Sequence, residues 1–166
     1  MAQNTEARAL ADVYKSVRSL TKFFVNQLQD IDIEKQFELD GIKLNTISWL
    51  IGHLCWTENA LILKGVGNIE SGVPWLEEYG IGTNPSDIKM KPGLSELIST
   101  LDNIHEKALG VLENLKDEEL SEDNYLGFGF GGDKSKRMLI FHAIRHEPMH
   151  TGQLSWSMKL NGAKTI

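Results

Sequence analysis

Apolar residues recur every three or four positions in four stretches of the chain, which is the spacing of amphipathic helices. The predicted helices cover residues 5–29, 46–64, 95–115 and 137–160. In the first helix the apolar stripe comprises Leu10, Val13, Val17, Leu20, Phe24 and Leu28. Such a stripe predicts that this side of the helix packs against the interior of the protein.

The second predicted helix is apolar on almost every side, which is typical of a helix buried by several neighbours. Asn45 or Thr46 is expected to cap its start, and Gly65 is expected to end it. His53 lies near its middle. Ser95 is the expected N-cap of the third helix.

Two long connections separate the last three helices, at residues 66–93 and 120–136. Four helices of this length predict an all-α four-helix bundle in one domain over residues 1–166. A helix of 20 residues is about 30 Å long. The first of these connections can therefore return along the bundle, which allows helices two and three to run parallel. The second contains aromatic residues between glycines at 125–132, and we expect these at the mouth of a pocket.

Composition and charge narrow the possible partners. The net charge of −6 argues against a nucleic-acid partner, because nucleic-acid binding needs a basic surface. Cys55 is the single cysteine, so no intrachain disulfide is possible and a reducing compartment is expected. Residues 1–6 are polar without a signal-peptide pattern, and no apolar run reaches the roughly 20 residues of a membrane span. These features predict a cytoplasmic protein without a membrane partner.

The most informative stretch is 141–154, which holds three of the five histidines at four-residue spacing. Each residue of a helix advances by about 100°, so residues four apart lie on one side of it. His146 and His150 can therefore direct two imidazoles at one metal ion. Gln153 returns to nearly the same stripe.

A catalytic zinc site usually takes three protein ligands, so a third must come from elsewhere in the chain. His53, His105 and His142 are the remaining histidines. His53 is the preferred ligand, because it lies at a depth similar to that of His150 if helices two and four are antiparallel. His105 lies beside the stripe of helix three and is interpreted as a half-exposed surface residue. His142 is interpreted as a pocket residue or a partner of a ligand.

Residues 146–150 also match the H-E-x-x-H signature of zinc proteases. The proline within the motif argues against that interpretation, since it disturbs the helix that must present the motif. Trp156 stands where a third histidine would follow, and no Asp, Glu or His lies beyond His150. Pro148 also predicts a kink or bulge in helix four near residues 144–148.

These motifs resemble a known family, the DinB/YfiT-like metalloenzymes. The residues that carry the resemblance are Trp49-Leu50-Ile51-Gly52-His53-Leu54 and His146-x-x-x-His150-x-Gly152-Gln153-Leu154. The similarity covers essentially the whole chain. It implies a bundle threaded up-down-down-up, a three-histidine site for a divalent metal, most often zinc or nickel, and frequent homodimers. Activities in this group include S-transfer from a thiol cofactor, a glutathione-dependent isomerisation and hydrolysis.

Transferred to this chain, the resemblance makes His53, His146 and His150 the metal ligands. A cation held by three histidines lowers the pKa of a thiol or water bound beside it. Glu147 is a candidate catalytic base, with a solvated or hydrogen-bonding role as the simpler interpretation. Gln153 is expected to bond a ligand histidine or line the pocket. Trp49 is assigned to the core or to the wall of the pocket.

Three functions follow as hypotheses. The first is a metal-dependent enzyme that transfers a low-molecular-weight thiol to an electrophilic small molecule, with hydrolysis of a small molecule as a variant. The second is a non-catalytic bundle that binds a metal or another ligand. The third is a structural bundle whose histidines are incidental.

Overall fold

The structure, a computed structural model, describes residues 5–164; residues 1–4, on which part of the argument against a signal peptide rests, lie outside this range. The helices are α1 (Glu6–Val25), α2 (Ile47–Glu58), α3 (Leu94–Asn114) and α4 (Lys136–Leu160). A π-helical segment, Asn59–Val66, continues α2. Short 3₁₀ turns occur at Leu76–Tyr79, Pro85–Asp87 and Asp117–Ser121.

A two-stranded hairpin within the connection from α1 to α2 is absent from the sequence-based prediction. Strands β1 (Glu38–Leu39) and β2 (Ile42–Lys43) pair antiparallel around Asp40 and Gly41, which both adopt positive φ. This backbone conformation suits the two-residue turns that join hairpin strands. With only this small sheet, the prediction of an all-α four-helix bundle is confirmed.

Helices α1 and α4 run parallel. Arg137 at the start of α4 donates to Glu6 at the start of α1, with 2.6 Å between Nε and Oε1. Nearer the other ends, the hydroxyls of Thr21 and Thr151 lie 2.8 Å apart. The N-terminal ends of α1 and α4 therefore lie side by side, and so do their C-terminal halves.

Helices α2 and α3 run parallel to each other and antiparallel to α4. Along α2 and α3, Glu58 contacts His105, and Gly67 just beyond the π-helical segment packs on Val111. Against α4 the order reverses, since Trp49 approaches His150 while Gly65 packs on Leu139. The bundle is thus threaded up-down-down-up, as predicted.

Three hydroxyl side chains cap the starts of helices. Thr5, Thr46 and Ser135 accept hydrogen bonds from backbone N–H groups in the first turns of α1, α2 and α4. The prediction for α3 was wrong, because that helix begins at Leu94 after Gly93 without a side-chain cap. Gly65 does not end the second helix either, since the π-helical segment carries it on to Val66.

Of the kink or bulge predicted near Pro148, the bulge is not present, because α4 continues as α-helix from residue 136 to 160. Pro148 is exposed, so the hydrogen bond that its ring removes lies on the side of the helix that faces water. The π-helical geometry occurs instead at the end of α2. There it places Ala60, Leu61 and Lys64 along a cavity described below.

The apolar stripe predicted for α1 is fully buried only at its end, at Phe24 and Leu28. Val13 and Leu20 are 48% and 46% exposed, whereas Tyr14, Arg18 and Thr21 face the interior. The rotation of α1 is set by polar contacts inside the bundle, which are described with the functional site. By contrast, α2 is buried almost all round, as predicted.

Within residues 5–164, none of the helices combines the length and the apolar character that crossing a membrane requires.

Candidate metal centre

Three histidines from two helices converge inside the bundle. His53 of α2 and His146 and His150 of α4 each offer one ring nitrogen, and these three atoms all lie within 4.8 Å of one another. The Nε2 atoms of His146 and His150 are 3.1 Å apart. The spacing of four residues places the latter two on one side of α4, and the antiparallel packing of α2 brings His53 to the same depth.

The hydrogen bonds of two of these rings fix where their protons lie. Nδ1 of His53 is 2.8 Å from the carbonyl oxygen of Tyr79, and Nδ1 of His150 is 2.7 Å from Oε1 of Gln153. Both oxygens only accept, so each Nδ1 carries the hydrogen in the neutral ring. The lone pairs of both Nε2 atoms are then free to bind a metal. Oxygen partners of this kind typically orient metal-binding histidines.

Gly52 allows the carbonyl of Tyr79 to reach His53. A Cβ atom built at position 52 would lie 2.1 Å from the ring of Tyr79. A larger residue would therefore push the Leu76–Tyr79 turn away from α2. The glycine before His53 thus has a physical role, which is to admit the turn that orients the histidine.

Stacking also holds the ring of His53. Trp49 lies parallel to it at a centroid distance of 4.5 Å, and Trp56 stacks at 5.7 Å. The indole of Trp49 is itself anchored, because Nε1 donates to Oγ1 of Thr83 at 3.0 Å. The side chain of Trp49 therefore contacts the centre while belonging to the core.

The environment keeps these imidazoles neutral. Burial lowers the pKa of His53 to about 4, against the opposing effect of the Tyr79 carbonyl. Burial, together with the neighbouring His150 and His53, lowers the pKa of His146 to about 3. Burial lowers the pKa of His150 as well. Neutral imidazole is the form that binds metal, so the protonation state fits a cation site.

Distances and donor chemistry also fit a divalent metal. Zn–N bonds of about 2.0–2.1 Å in a tetrahedral site place two nitrogens about 3.3 Å apart, close to the separation of the His146 and His150 Nε2 atoms. Nδ1 of His146 is buried and has no hydrogen-bond partner within residues 5–164. The three residues therefore form a group that could hold one metal ion.

A cavity of about 310 Å³ opens beside His146. The residues that line it are Trp56, Thr57, Ala60, Leu61, Lys64, Glu77, Ile81, Leu126, Phe128, Phe130, His142 and His146. Three of them come from the glycine-rich connection before α4, where the sequence predicts aromatic residues at a pocket mouth. A small molecule in this cavity would lie against a ligand candidate.

His142 lies in the wall of this cavity and outside the converging group. Its ring stacks on Phe130 at a centroid distance of 3.6 Å. Nδ1 accepts hydrogen bonds from the guanidinium of Arg145, at 3.2 Å from Nε and 3.0 Å from Nη2. Burial and then the charge of Arg145 lower the pKa of His142, so it is a neutral wall residue.

The position of Glu147 contradicts the role of catalytic base. Its Oε1 atom accepts from Nε of Arg18 at 2.7 Å and from the hydroxyl of Thr21 at 2.6 Å. Its Oε2 atom accepts from Nη2 of Arg18 at 3.0 Å. A carboxylate held this way has its lone pairs directed at α1 and is not available to take a proton from a substrate.

The prediction that His105 is a half-exposed surface residue was also wrong, because its side chain is buried, with 9% exposed. Its Nδ1 atom donates to Oε1 of Glu58 at 2.7 Å, and the hydroxyl of Tyr14 donates to the same oxygen at 2.9 Å. His105 therefore belongs to a buried polar network and not to the surface.

This network, here called the Arg18 cluster, comprises Tyr14, Arg18, Glu58, His105 and Glu147. Nη2 of Arg18 donates to Glu58 at 2.7 Å, and Nη1 donates to the carbonyl of Leu101 at 3.0 Å. Burial raises the pKa of Glu58, but the charge of Arg18 and the bond from His105 outweigh it and hold this pKa below its ordinary value. The cluster ties all four helices together.

Sequence reasoning missed the Arg18 cluster. The available signal was a charged residue, Glu58, within an otherwise apolar helix, because a buried carboxylate requires a partner. Nothing in the sequence pairs it with Arg18, which lies 40 residues away.

The fold and the converging imidazoles together define a helical bundle with a candidate metal centre. The family model described as the DinB superfamily matches residues 13–154, which is most of the chain, and the protein therefore belongs to the DinB superfamily. A search of curated proteins finds no match to this sequence.

Proposed function

We propose that this protein binds one divalent metal ion through His53, His146 and His150 and catalyses the transfer of a low-molecular-weight thiol to an electrophilic small molecule. The observation that carries the proposal is the convergence of three neutral imidazoles, one of which, His146, lines a cavity. The metal proposed is zinc or nickel, since both accept imidazole ligands.

When bound, such a cation supplies a positive charge that lowers the pKa of a thiol or water beside it. The protein contributes orientation. The Tyr79 carbonyl and the Gln153 amide hold two rings by their Nδ1 atoms, and stacking holds the ring of His53. The cavity beside His146 gives a small molecule a place next to one of the ligands.

The sole cysteine is unsuited to be the nucleophile, which favours a thiol supplied as a co-substrate. Cys55 is fully buried, and burial raises the pKa of its thiol. In the proposed reaction the co-substrate thiol loses its proton to solvent and its sulfur bonds to the electrophilic carbon. The leaving group departs with the bonding electrons.

Thiol transfer is preferred to hydrolysis because the cavity lacks a free carboxylate among the described residues. Glu147 is held by Arg18 and Thr21. Glu77, the acidic residue in the cavity wall, accepts hydrogen bonds from Lys64 and Trp56. A hydrolytic step gains from a base that activates water, whereas a thiol is acidic enough to ionise without one.

The test combines metal analysis with turnover. Purified protein is expected to contain about one zinc or nickel ion per chain, and to conjugate 1-chloro-2,4-dinitrobenzene with one of several thiols such as cysteine, glutathione or coenzyme A. Replacing His146 by Ala should remove both properties. Stoichiometric metal without turnover of any thiol would favour a non-catalytic binding module, and absence of metal would favour a structural bundle.

We also propose a cytoplasmic homodimer. Support for the dimer comes from a stripe along α4, where Met149, Trp156 and Leu160 recur on one side and are 56%, 69% and 47% exposed. A reducing compartment suits the free Cys55. Light scattering on the purified protein would test the dimer, and a Trp156→Glu variant should be monomeric if this stripe forms the interface.

A further inference from the structure

We infer that the cavity beside His146 selects an uncharged, flat aromatic group, which would be the electrophilic partner in the proposed reaction. The inference rests on the proposed function for the reaction but on the cavity alone for the binding. A volume of about 310 Å³ lies at the lower end of the roughly 300–1,000 Å³ typical of ligand cavities. The site therefore suits a ring system with short substituents.

The walls of the cavity offer aromatic faces on one side and small apolar groups on the other. Trp56, Phe128 and Phe130 contribute aromatic surface. Ala60, in the π-helical segment, leaves room because its side chain is a single methyl group. A planar aromatic guest would stack or pack edge-on against these rings, which adds to the gain from burying apolar area.

The charged side chains that line the cavity are paired with each other. Lys64 and Glu77 are its charged lining residues, and their side chains pair at 3.2 Å. Lys64 also reaches Glu70 at 3.4 Å, and Glu77 also accepts from the indole of Trp56 at 3.0 Å. An anionic guest would have to break this pairing or remain unpaired, so the cavity disfavours it.

The aromatic wall is held in place before any guest arrives. The buried side chain of Asn124 accepts from the N–H groups of Leu126 and Gly127 at 2.9 and 3.1 Å. Its amide also donates to the carbonyl of Phe128 at 2.7 Å. A wall fixed in this way loses little freedom on binding, which increases affinity for a guest of matching shape.

The experiment compares two naphthalene probes on the purified protein after a chelator has removed any metal, so that only the residues lining the cavity act on the charge of the probe. One is neutral, 2-naphthylmethanol, and the other is naphthalene-2-sulfonate, an anion of similar size whose sulfonate is a weak metal ligand. Calorimetric titration is expected to give at least tenfold tighter binding of the neutral probe. Comparable affinity, or preference for the anion, would overturn the inference.

Ala60→Trp, which fills the cavity, is expected to weaken the neutral probe at least tenfold. Ala9→Trp is the matched control, because Ala9 is exposed on α1 and does not line this cavity, and it should leave the affinity unchanged. An unchanged affinity in Ala60→Trp would contradict the assignment. If that variant does not fold, Phe128→Ser on the partly exposed loop should still weaken the neutral probe about threefold, and no change there would equally contradict it.

Metal content and turnover, measured on the same preparation before the chelator is added, separate this inference from the proposed function. Neutral-probe binding that Ala60→Trp blocks, in a protein without metal or turnover, would support the cavity assignment and remove the proposed reaction. Metal and turnover combined with equal or tighter binding of the anionic probe to the metal-free protein would remove the cavity assignment and leave the reaction.

Discussion

Two polar groups lie inside this bundle, and they differ in how far their hydrogen bonds are satisfied. In the Arg18 cluster the guanidinium donates to two carboxylates and a backbone carbonyl, and each carboxylate has further donors. In the histidine group three ring nitrogens converge within 4.8 Å without an anion between them. The first group is saturated by the protein, whereas the second has lone pairs left for a ligand.

This difference separates a structural role from a binding role. A buried ion pair gains little net stability, but its geometry restricts how helices can pack. Converging neutral imidazole nitrogens, by contrast, are the donor set that binds a metal ion. A buried polar group whose hydrogen bonds are all made within the protein therefore indicates a structural role. Ring nitrogens that converge with lone pairs left over indicate a site for a ligand.

The two groups are adjacent in the chain, so one positions the other. Glu147 follows His146 directly and is held by Arg18, which fixes the rotation of α4. On α2, Glu58 is held by the same arginine, and Thr57 beside it lies 3.5 Å from Nε2 of His53. The Arg18 cluster thus sets the orientation from which the three imidazoles meet.

The largest expected effect on stability comes from removing the guanidinium of Arg18 from the Arg18 cluster. Arg18→Met leaves two buried carboxylates unpaired, which should lower the free energy of unfolding by about 3–5 kcal/mol. Lys22→Met on the same helix is the control, because Lys22 forms an exposed pair with Asp102 and should cost less than about 1 kcal/mol. Urea denaturation measures both, and equal effects would mean that the Arg18 cluster is not structural.

The histidine pair of α4 could be predicted from the sequence and the Arg18 cluster could not, because only the first is formed by residues close together in the chain. The pair His146 and His150 is local, since helical geometry alone brings residues four apart together. Arg18 and Glu147 are 129 residues apart, and hydropathy places an arginine at the surface. The predicted stripe of α1 was accordingly wrong at Val13 and Leu20, because Arg18 faces inward and turns Val13 outward.

Removing one imidazole from the histidine group should lower metal affinity and leave the fold intact. His150→Ala is expected to weaken zinc binding at least about 100-fold, beyond the 10–100-fold typical of partners of the ligands. The matched control is His105→Gln in the Arg18 cluster, which should lower the unfolding midpoint without changing zinc stoichiometry. Competition with a chelating dye and thermal unfolding measure the two properties.

Opposite results for these two variants would contradict the division into a structural cluster and a metal-binding group. A metal-free His150→Ala protein much less stable than the metal-free parent would show that the histidine group is structural. Loss of zinc from His105→Gln would show that the two groups share one role.

The metal-free protein should lose stability as the pH falls from about 6.5 towards 4. The pKa values of about 4 for His53 and about 3 for His146 lie below the ordinary value near 6.5, so the unfolded chain binds protons first. Each ring then costs at most about 1.4 kcal/mol per pH unit in this window. The lowered pKa of Glu58 acts at more acidic pH, as its carboxylate takes up a proton.

The pH effect is measured by urea denaturation in the presence of a chelator at pH 6.5 and 5. Replacing His53 and His146 by Gln should reduce the dependence over this interval, since the substituted side chains do not titrate, and the remainder belongs to His150 and His142, whose pKa values burial also lowers. A slope as steep in the double variant as in the parent would assign the pH effect to other groups.

The smallest effect is expected where a neighbour orients a ligand and does not bind the metal itself. Gln153→Ala removes the oxygen that accepts from Nδ1 of His150, which frees the ring to rotate and to change tautomer. Zinc affinity should fall about tenfold while the unfolding free energy of the metal-free protein stays within about 0.5 kcal/mol, as for most surface substitutions. Gln153→Glu keeps an acceptor at this position and should retain or strengthen binding. An equal loss in both variants would mean that the amide fills space and does not orient the ring.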